Sequence, residues 1–286
     1  MKIAIVGGRG QLAAAVAHEC AQAHDVAAFS RAELDVTDAR AVDAAVRSAR
    51  PDAIVVGAAF TNVDAAEDRP VEAFEVNAFA VRTLARIARS TGALLVHFST
   101  DFVFDGTASR PYLEDDRPNP RSVYAASKLV GEWFALDAPL AYVLRVESLF
   151  GRAPGAPPAK GSVAGIMSTL LAGGWVKAFE DRTISPTYVL DAARAVRFMV
   201  ERRPAPGIYH CVNSGSCTWL EFGRELARQL DVEPRLTPVR MADMHLPAAR
   251  PMYCVLSNEK LRAVGVDMPA WQDALARFVQ SSRVSS

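Results

Sequence analysis

Lys2 to Val6 carries the unbroken apolar run Ile3-Ala4-Ile5-Val6, and Gly7-Gly8-Arg9-Gly10-Gln11-Leu12-Ala13 turns it at once into an alanine-rich amphipathic segment reaching about Ala23. No other stretch limits the fold as much. A short apolar run bounded by glycines suits a strand buried on both faces, and a helix that follows directly must pack back on a parallel sheet. Strand, glycine turn and helix in this order are what a dinucleotide site requires. Gly7 permits the tight turn, Gly10 lets the backbone approach a pyrophosphate, and the helix N-terminus offers N–H groups and a positive dipole end. Ala13 holds the third glycine position, where one methyl still permits close packing.

The pattern continues. Asp25 to Phe29 reads as the second strand and ends in Ser30-Arg31, where an NAD site usually has an acidic residue for the ribose 2'-hydroxyl. Arg31 and the Ser30 hydroxyl suit a 2'-phosphate, so NADP(H) is preferred and NAD(H) is allowed, with Glu33 or Asp35 as the alternative partners of a 2'-hydroxyl. Asp38 can cap the next helix, and Pro51 to Val56 is a third strand ending in Gly57-Ala58-Ala59 at the C-terminal sheet edge, where a ligand crevice is expected. A long helix is expected from about Pro70 to Arg89. Its Asn77 is either a satisfied core amide or a backbone clamp near the cofactor. The strand Ala93 to Phe98 delivers Ser99-Thr100-Asp101 to the same edge, with a simple turn as the rival reading.

Tyr124 and Lys128 stand four residues apart in Ser-Val-Tyr-Ala-Ala-Ser-Lys, with no glycine or proline until Gly131, so a helix places them on one face. An ammonium beside a phenol lowers the phenol's pKa from about 10 and makes it a usable proton donor or acceptor. Thr107 to Pro120 reads as a polar loop leading to that helix. Leu140 to Val146 is another strand, and Arg152 to Ser162, rich in Gly, Pro and Ala, looks like a lid. Helical patterns follow at Val163 to Ala172, Val189 to Arg203, Trp219 to Leu230 and Trp271 to Val279. The expected architecture is α/β: a doubly wound parallel sheet in residues 1–150, with a segment near 189–213 returning to it, and a smaller α+β substrate lobe from 151–188 and 214–286.

The chain has 286 residues, half of them hydrophobic, and its 32 basic and 32 acidic residues cancel. That balance points neither to nucleic acid nor to an anionic membrane surface. The four cysteines form no Cys-x-x-Cys pair and the five histidines are scattered, so no metal site is assigned and reduced thiols are expected. With no signal-peptide layout and no run near the roughly 18 apolar residues of a membrane span, a cytoplasmic location is expected.

Taken together, the N-terminal Gly-x-x-Gly turn, Asn77, Ser99-Thr100 and Tyr124-x-x-x-Lys128 resemble the extended short-chain dehydrogenase/reductases, which have a Rossmann-type sheet. Within them the chain is similar to the dTDP-4-dehydrorhamnose reductase branch. The matching segments are Gly10-Gln11-Leu12, Leu34 to Asp38, Ala58 to Asp64, Ser99 to Gly106, Ser185-Pro186-Thr187 and Ala249-Arg250-Pro251. The resemblance implies reduction of a nucleotide-linked 4-keto deoxysugar by hydride transfer, with Tyr124 as proton donor, Lys128 on the nicotinamide ribose and Thr100 on the carbonyl oxygen. It also implies that Gly7, Gly10, Gln11 and Leu12 hold the pyrophosphate and Ser30 and Arg31 the adenosine ribose. Asp35 and Val36 would hold the adenine, and Ala58, Ala59, Asn77 and Ser99 the middle of the cofactor. Phe102, Val103, Phe104, Ser148, Arg182 and Arg250 would face the substrate. Relatives are often homodimers.

The departures fall on the substrate side. Phe102 stands where the family has Tyr, Glu147-Ser148 where it has a Trp, and Gly161-Ser162-Val163 where it has Asn-Phe. Asp181-Arg182 replaces Asp-Gln, and Arg182 could meet a diphosphate or face water. Two alternatives therefore accompany the reductase: a non-catalytic sugar-nucleotide or NADP-binding subunit, and a sugar-nucleotide epimerase.

Overall fold

The structure is a computed structural model that describes residues 1–156 and 161–284. Five apolar segments form strands β1 (Lys2–Val6), β2 (Asp25–Phe29), β3 (Ala53–Val56), β4 (Leu94–Thr100) and β5 (Ala141–Val146). With the strand Gly207–His210 they make a six-stranded sheet in the order Gly207–His210, β5, β4, β3, β1, β2. Every neighbouring pair is parallel. The chain leaves β1 toward β2 and returns to β3 on the other side, so the switch point lies between β1 and β3, where ligands enter doubly wound sheets.

Helices cover both faces. On one, α1 (Gln11–Cys20) packs with the later helix Val189–Arg202, burying Ala13, Val16 and Cys20 with Ala192, Val196 and Met199. On the other lie α2 (Ala39–Ala49), capped by Asp38 on Arg40 N and Ala41 N, then α3 (Val63–Asp68) and α4 (Pro70–Phe74). They are followed by α5 (Ala80–Thr91) and α6 (Val123–Leu136). Asp38's cap matches the expectation from sequence, and Gly207–His210 joins the sheet beside β5. The parallel sheet matches too, although α1 ends at Cys20 rather than near Ala23.

Two features differ. The helix expected across Pro70 to Arg89 is interrupted by a π turn at Glu75–Phe79, and a short helix, α3, begins after Asn62, whose side chain accepts from Ala65 N. Neither shows in an apolar period. The first is set by the tertiary demand on Asn77 and the second by a cap.

After β5 the segments Ser162–Leu171 (α7), Trp219–Leu230 and Trp271–Val284 surround an aromatic core of Phe150, Tyr188, Phe222, Trp271 and Phe278. Three two-stranded sheets brace it. Residues 157–160, inside the stretch read as a lid, lie outside the described residues. Among the described residues no helix is long and apolar enough to cross a membrane.

Candidate active site

The glycine turn is built by close approach. Gly7 adopts φ +83°, and a Cβ there would sit 2.4 Å from Ala58 N, which only glycine avoids. Ala13 rests against Gly57, where an added Cβ would lie 2.5 Å from the Ala13 methyl, so the glycine lost at position 13 is compensated across the groove at position 57. Two connected clefts open at this edge. The first, of about 220 Å³, is lined by Gly7, Gly10, Arg31, Asp35, Val36 and Ala58 among others. The second, of about 530 Å³, shares Gly10, Gly57 and Ala59 with it and extends past Gln11 and Leu12 to Thr100, Phe102, Tyr124, Lys128, Glu147 and Ser148.

α6 places Tyr124 and Lys128. Ser122 caps it by accepting from Ala125 N, and the two side chains then emerge one turn apart into the larger cleft. Lys128 is buried, and its Nζ donates to the Phe98 carbonyl at 2.5 Å. Burial pulls its pKa down to about 8 while Glu132 opposes. Tyr124 lies edge-on to Phe102 with ring centroids 5.7 Å apart. Burial pushes its phenol up to about 12, against a hydrogen bond with Thr100 that lowers it and Asp101 that raises it further. The expected lowering by Lys128 is not found: burial of the phenol dominates, and the ammonium is turned to the backbone of β4.

Several polar groups expected to face the cleft are committed to protein partners, although Ser99 itself lines it. The Ser99 hydroxyl donates to Glu132 Oε1 at 2.5 Å, and the Ser30 hydroxyl donates to Glu33 Oε2 at 2.6 Å. Asn77 Oδ1 accepts from Phe60 N while its Nδ2 donates to Phe60 O and Ser127 Oγ. It is a satisfied core amide and also a clamp, acting on the backbone that carries Ala58 and Ala59 rather than reaching the cleft. Val103 and Phe104 are core residues, Phe104 stacking on Tyr112 at 4.1 Å. The 3-10 turn Asp101–Val103 carries Val103 into the core, and Phe104 follows as its C-cap.

Both arginines expected to meet the substrate are engaged with protein. Arg182 is 8% exposed, its Nε donates to Pro251 O, and its guanidinium lies over the Phe102 ring at 5.3 Å. It neither faces water nor is open to a diphosphate. Arg250 grips Asp64 with two bonds of 3.0 and 2.7 Å. Ser148 does line the cleft, in left-handed backbone at φ +42°.

Two buried networks went unread in the sequence. Behind Ser99, Arg145 pairs with Glu132 through two 2.8 Å bonds, with both side chains 1% exposed. Its signal was an Arg inside the otherwise apolar strand β5. Beside Thr100, single ligand-type atoms of Asp101, Glu147 and Cys254 lie within 4.8 Å of one another. These residues come from three separate segments, so no spacing announces them. The Arg182 guanidinium next to them supplies a positive charge already: burial lowers its pKa, but Cys254, Asp101 and Glu147 together raise it further.

With this geometry in view, the chain compares with known proteins as follows. The family described as RmlD substrate binding domain matches residues 1–284. A probable dTDP-4,6-dihydroxy-2-methyloxan-3-one 4-ketoreductase of Streptomyces antibioticus is 38% identical over 283 residues, 96% of this chain and 93% of that protein. A dTDP-4-dehydrorhamnose reductase of Streptomyces griseus is 36% identical over 259 residues, 87% of this chain and 83% of that protein. Among solved structures, dTDP-4-dehydrorhamnose reductase of Bacillus anthracis in complex with NADP superposes with a TM-score of 0.92 at 30% identity, covering 98% of this chain and 99% of that one. The strand–glycine turn–helix, the helix-borne Tyr124 and Lys128 and this match along nearly the whole chain agree, and the chain belongs to the RmlD substrate binding domain family of extended short-chain dehydrogenase/reductases.

Proposed function

We propose that this chain is an NADPH-dependent reductase of a nucleotide-linked 4-keto deoxysugar. The observation that carries the reading is the convergence of Thr100, Tyr124 and Lys128 on one cleft that runs continuously to the glycine turn. The residues suit the cofactor: the Gly7 cradle excludes any Cβ, and Arg31 borders the smaller cleft with Asp35 and Val36. Gly7, Gly10 and the α1 N-terminus would hold the pyrophosphate, Arg31 the 2'-phosphate, and Lys128 the nicotinamide ribose. When bound, NADPH supplies the hydride.

The remaining steps belong to the chain. A phenol held near pKa 12 is fully protonated at neutral pH, which suits Tyr124 to donation rather than to proton abstraction. Thr100, beside that phenol in the same cleft, positions the carbonyl oxygen as it gains charge by turning its hydroxyl from Asp101 Oδ1 to it. Tyr124 then passes its proton to the forming alkoxide, whose basicity exceeds that of a phenolate. Residues 151–188 and 214–286 form the substrate lobe in this reading, and a homodimer is the assembly it expects.

Titration of NADPH and NADH into wild type and Arg31→Ala tests the reading, followed by NADPH oxidation with dTDP-4-dehydrorhamnose. Preference for NADPH that Arg31→Ala abolishes, with turnover of the keto sugar, is expected. Cofactor binding without turnover of any nucleotide-linked keto sugar would favour the non-catalytic subunit, and no binding would overturn both.

A further inference from the structure

Lys128 is a buried cation with little to hold its charge. It is 3% exposed, and its Nζ is fixed by a neutral group, the Phe98 carbonyl, at 2.5 Å. An ammonium taken out of water sheds its proton unless a negative charge lies close by. Glu132 supplies that charge. It stands one helical turn further along α6, so its carboxylate lies on the face that carries Lys128.

Both oxygens of that carboxylate are locked. Glu132 Oε1 accepts from Ser99 Oγ at 2.5 Å and from Arg145 Nε at 2.8 Å, and Oε2 accepts from Arg145 Nη2 at 2.8 Å. A guanidinium does not lose its proton, so Arg145 keeps Glu132 ionised across the working pH range. Arg145 is itself held by the Glu114 carbonyl at 3.3 Å and by the Phe104 ring, whose centroid lies 5.0 Å from its Cζ. A buried ion pair of this kind adds little stability over an apolar pair of similar volume. Its place behind Ser99 and Lys128, which both line the cleft, gives it another use.

The other charges around Lys128 do not substitute for Glu132. On α6 Tyr124 is a neutral phenol, and on β4 His97 is kept neutral by burial and by Lys128 itself. Asp101, past the end of β4, is buried beside Arg182, and Arg145 of β5 is a further cation. On α3 Asp64 pairs with Arg250 and Glu67 accepts from Val123 N, while Glu72 of α4 pairs with Arg69. Asp68 of α3, Glu75 of the π turn and the α5 arginines Arg82, Arg86 and Arg89 are exposed. Burial therefore pulls Lys128 down to about 8, and Glu132 is the charge that opposes it. In the reductase reading, on which this inference rests, Lys128 holds the nicotinamide ribose. We propose that Glu132, locked by Arg145 and Ser99, is the positioning residue that keeps Lys128 an ammonium at the cofactor.

The test follows the dissociation constant of NADPH on the full chain by fluorescence titration from about pH 6.5 to about pH 10. Wild-type affinity should hold up to about pH 8 and then fall, by up to about tenfold per unit, as Lys128 gives up its proton. Tyr124, pushed up to about 12, and the raised Cys254 thiol leave that range to Lys128. Glu132→Gln should move the fall to lower pH by roughly one unit or more. Glu132→Gln/Arg145→Met, which leaves no unpaired guanidinium to endanger folding, should move it in the same direction. A purely structural role would instead weaken binding equally at every pH. Wild-type affinity that stays flat to about pH 10, or a fall that keeps its place in a folded variant, would overturn the proposal and leave the reductase reading standing. No binding of NADPH at any pH would overturn both.

Discussion

Tyr124 combines a phenol fixed edge-on to Phe102, a hydrogen bond with Thr100 and a pKa raised to about 12. Its hydroxyl is small, so Tyr124→Phe removes the donor without disturbing the ring contact. Turnover should fall at least about 100-fold while NADPH affinity, by fluorescence titration, changes by less than about twofold. Unchanged turnover would exclude Tyr124 as the proton donor. At the residue scale the helical spacing of Tyr124 and Lys128 was legible, because four residues always return to one helix face. The direction of the phenol's pKa was not, because desolvation depends on what packs around it, and here burial dominates. Where the Ser30 and Ser99 hydroxyls point was not legible for a related reason. A hydroxyl rotates to the nearest strong acceptor, and Glu33 and Glu132 provide one away from the cleft.

Among elements, α6 and the π turn at Glu75–Phe79 must be considered together. Gly131 of α6 lies against the Asn77 backbone, where an added Cβ would come 2.2 Å from the Asn77 carbonyl oxygen. The extra residue in the π turn and the missing side chain on α6 let Asn77 reach Phe60, and so hold the segment after β3. The sheet elements on the other side carry imidazoles kept neutral. His210 Nδ1 donates to Ser257 O at 3.1 Å, and its Nε2 lies 3.4 Å from Arg145 Nη1. Burial, then Arg145, pulls its pKa down to about 3, and burial with Lys128 pulls His97 well below its ordinary value. Each folded pKa is below the unfolded one, so the stability these groups carry is present above about pH 6.5 and is lost as pH falls from there toward 3. Urea unfolding between pH 6.5 and 4.5 should show this acid loss. In His210→Gln the slope against pH should decrease, by up to about 1.4 kcal/mol per pH unit, and an unchanged slope would contradict the neutral buried state.

On the scale of the whole molecule, the Arg250–Asp64 pair ties the C-terminal segment to α3. The side chains are 15% and 37% exposed, so solvent screens the pair and the expected contribution is modest. Arg250→Ala should lower stability by about 0.5–1 kcal/mol at neutral pH. The Arg250 hydrogen bond holds the Asp64 pKa below its usual 3.8, so the penalty is present above that value and fades as pH falls through the folded pKa. If the segment belongs to a substrate lobe, KM for the keto sugar should rise severalfold with NADPH affinity unchanged. A matched loss of both affinities would place Arg250 in general packing instead.

Local periodicity and turn chemistry in the sequence by themselves determined the parallel sheet, the glycine turn and the helix bearing Tyr124 and Lys128. Apolar runs, glycines and caps act over a few residues, so they can be read without knowing the fold. Tertiary structure alone decided that Arg182 and Arg250 are engaged with protein, that Val103 and Phe104 are core, and that Asp101, Glu147 and Cys254 meet beside Thr100. Burial and charge pairing depend on segments far apart in the chain, and no spacing within one segment records which of them will touch.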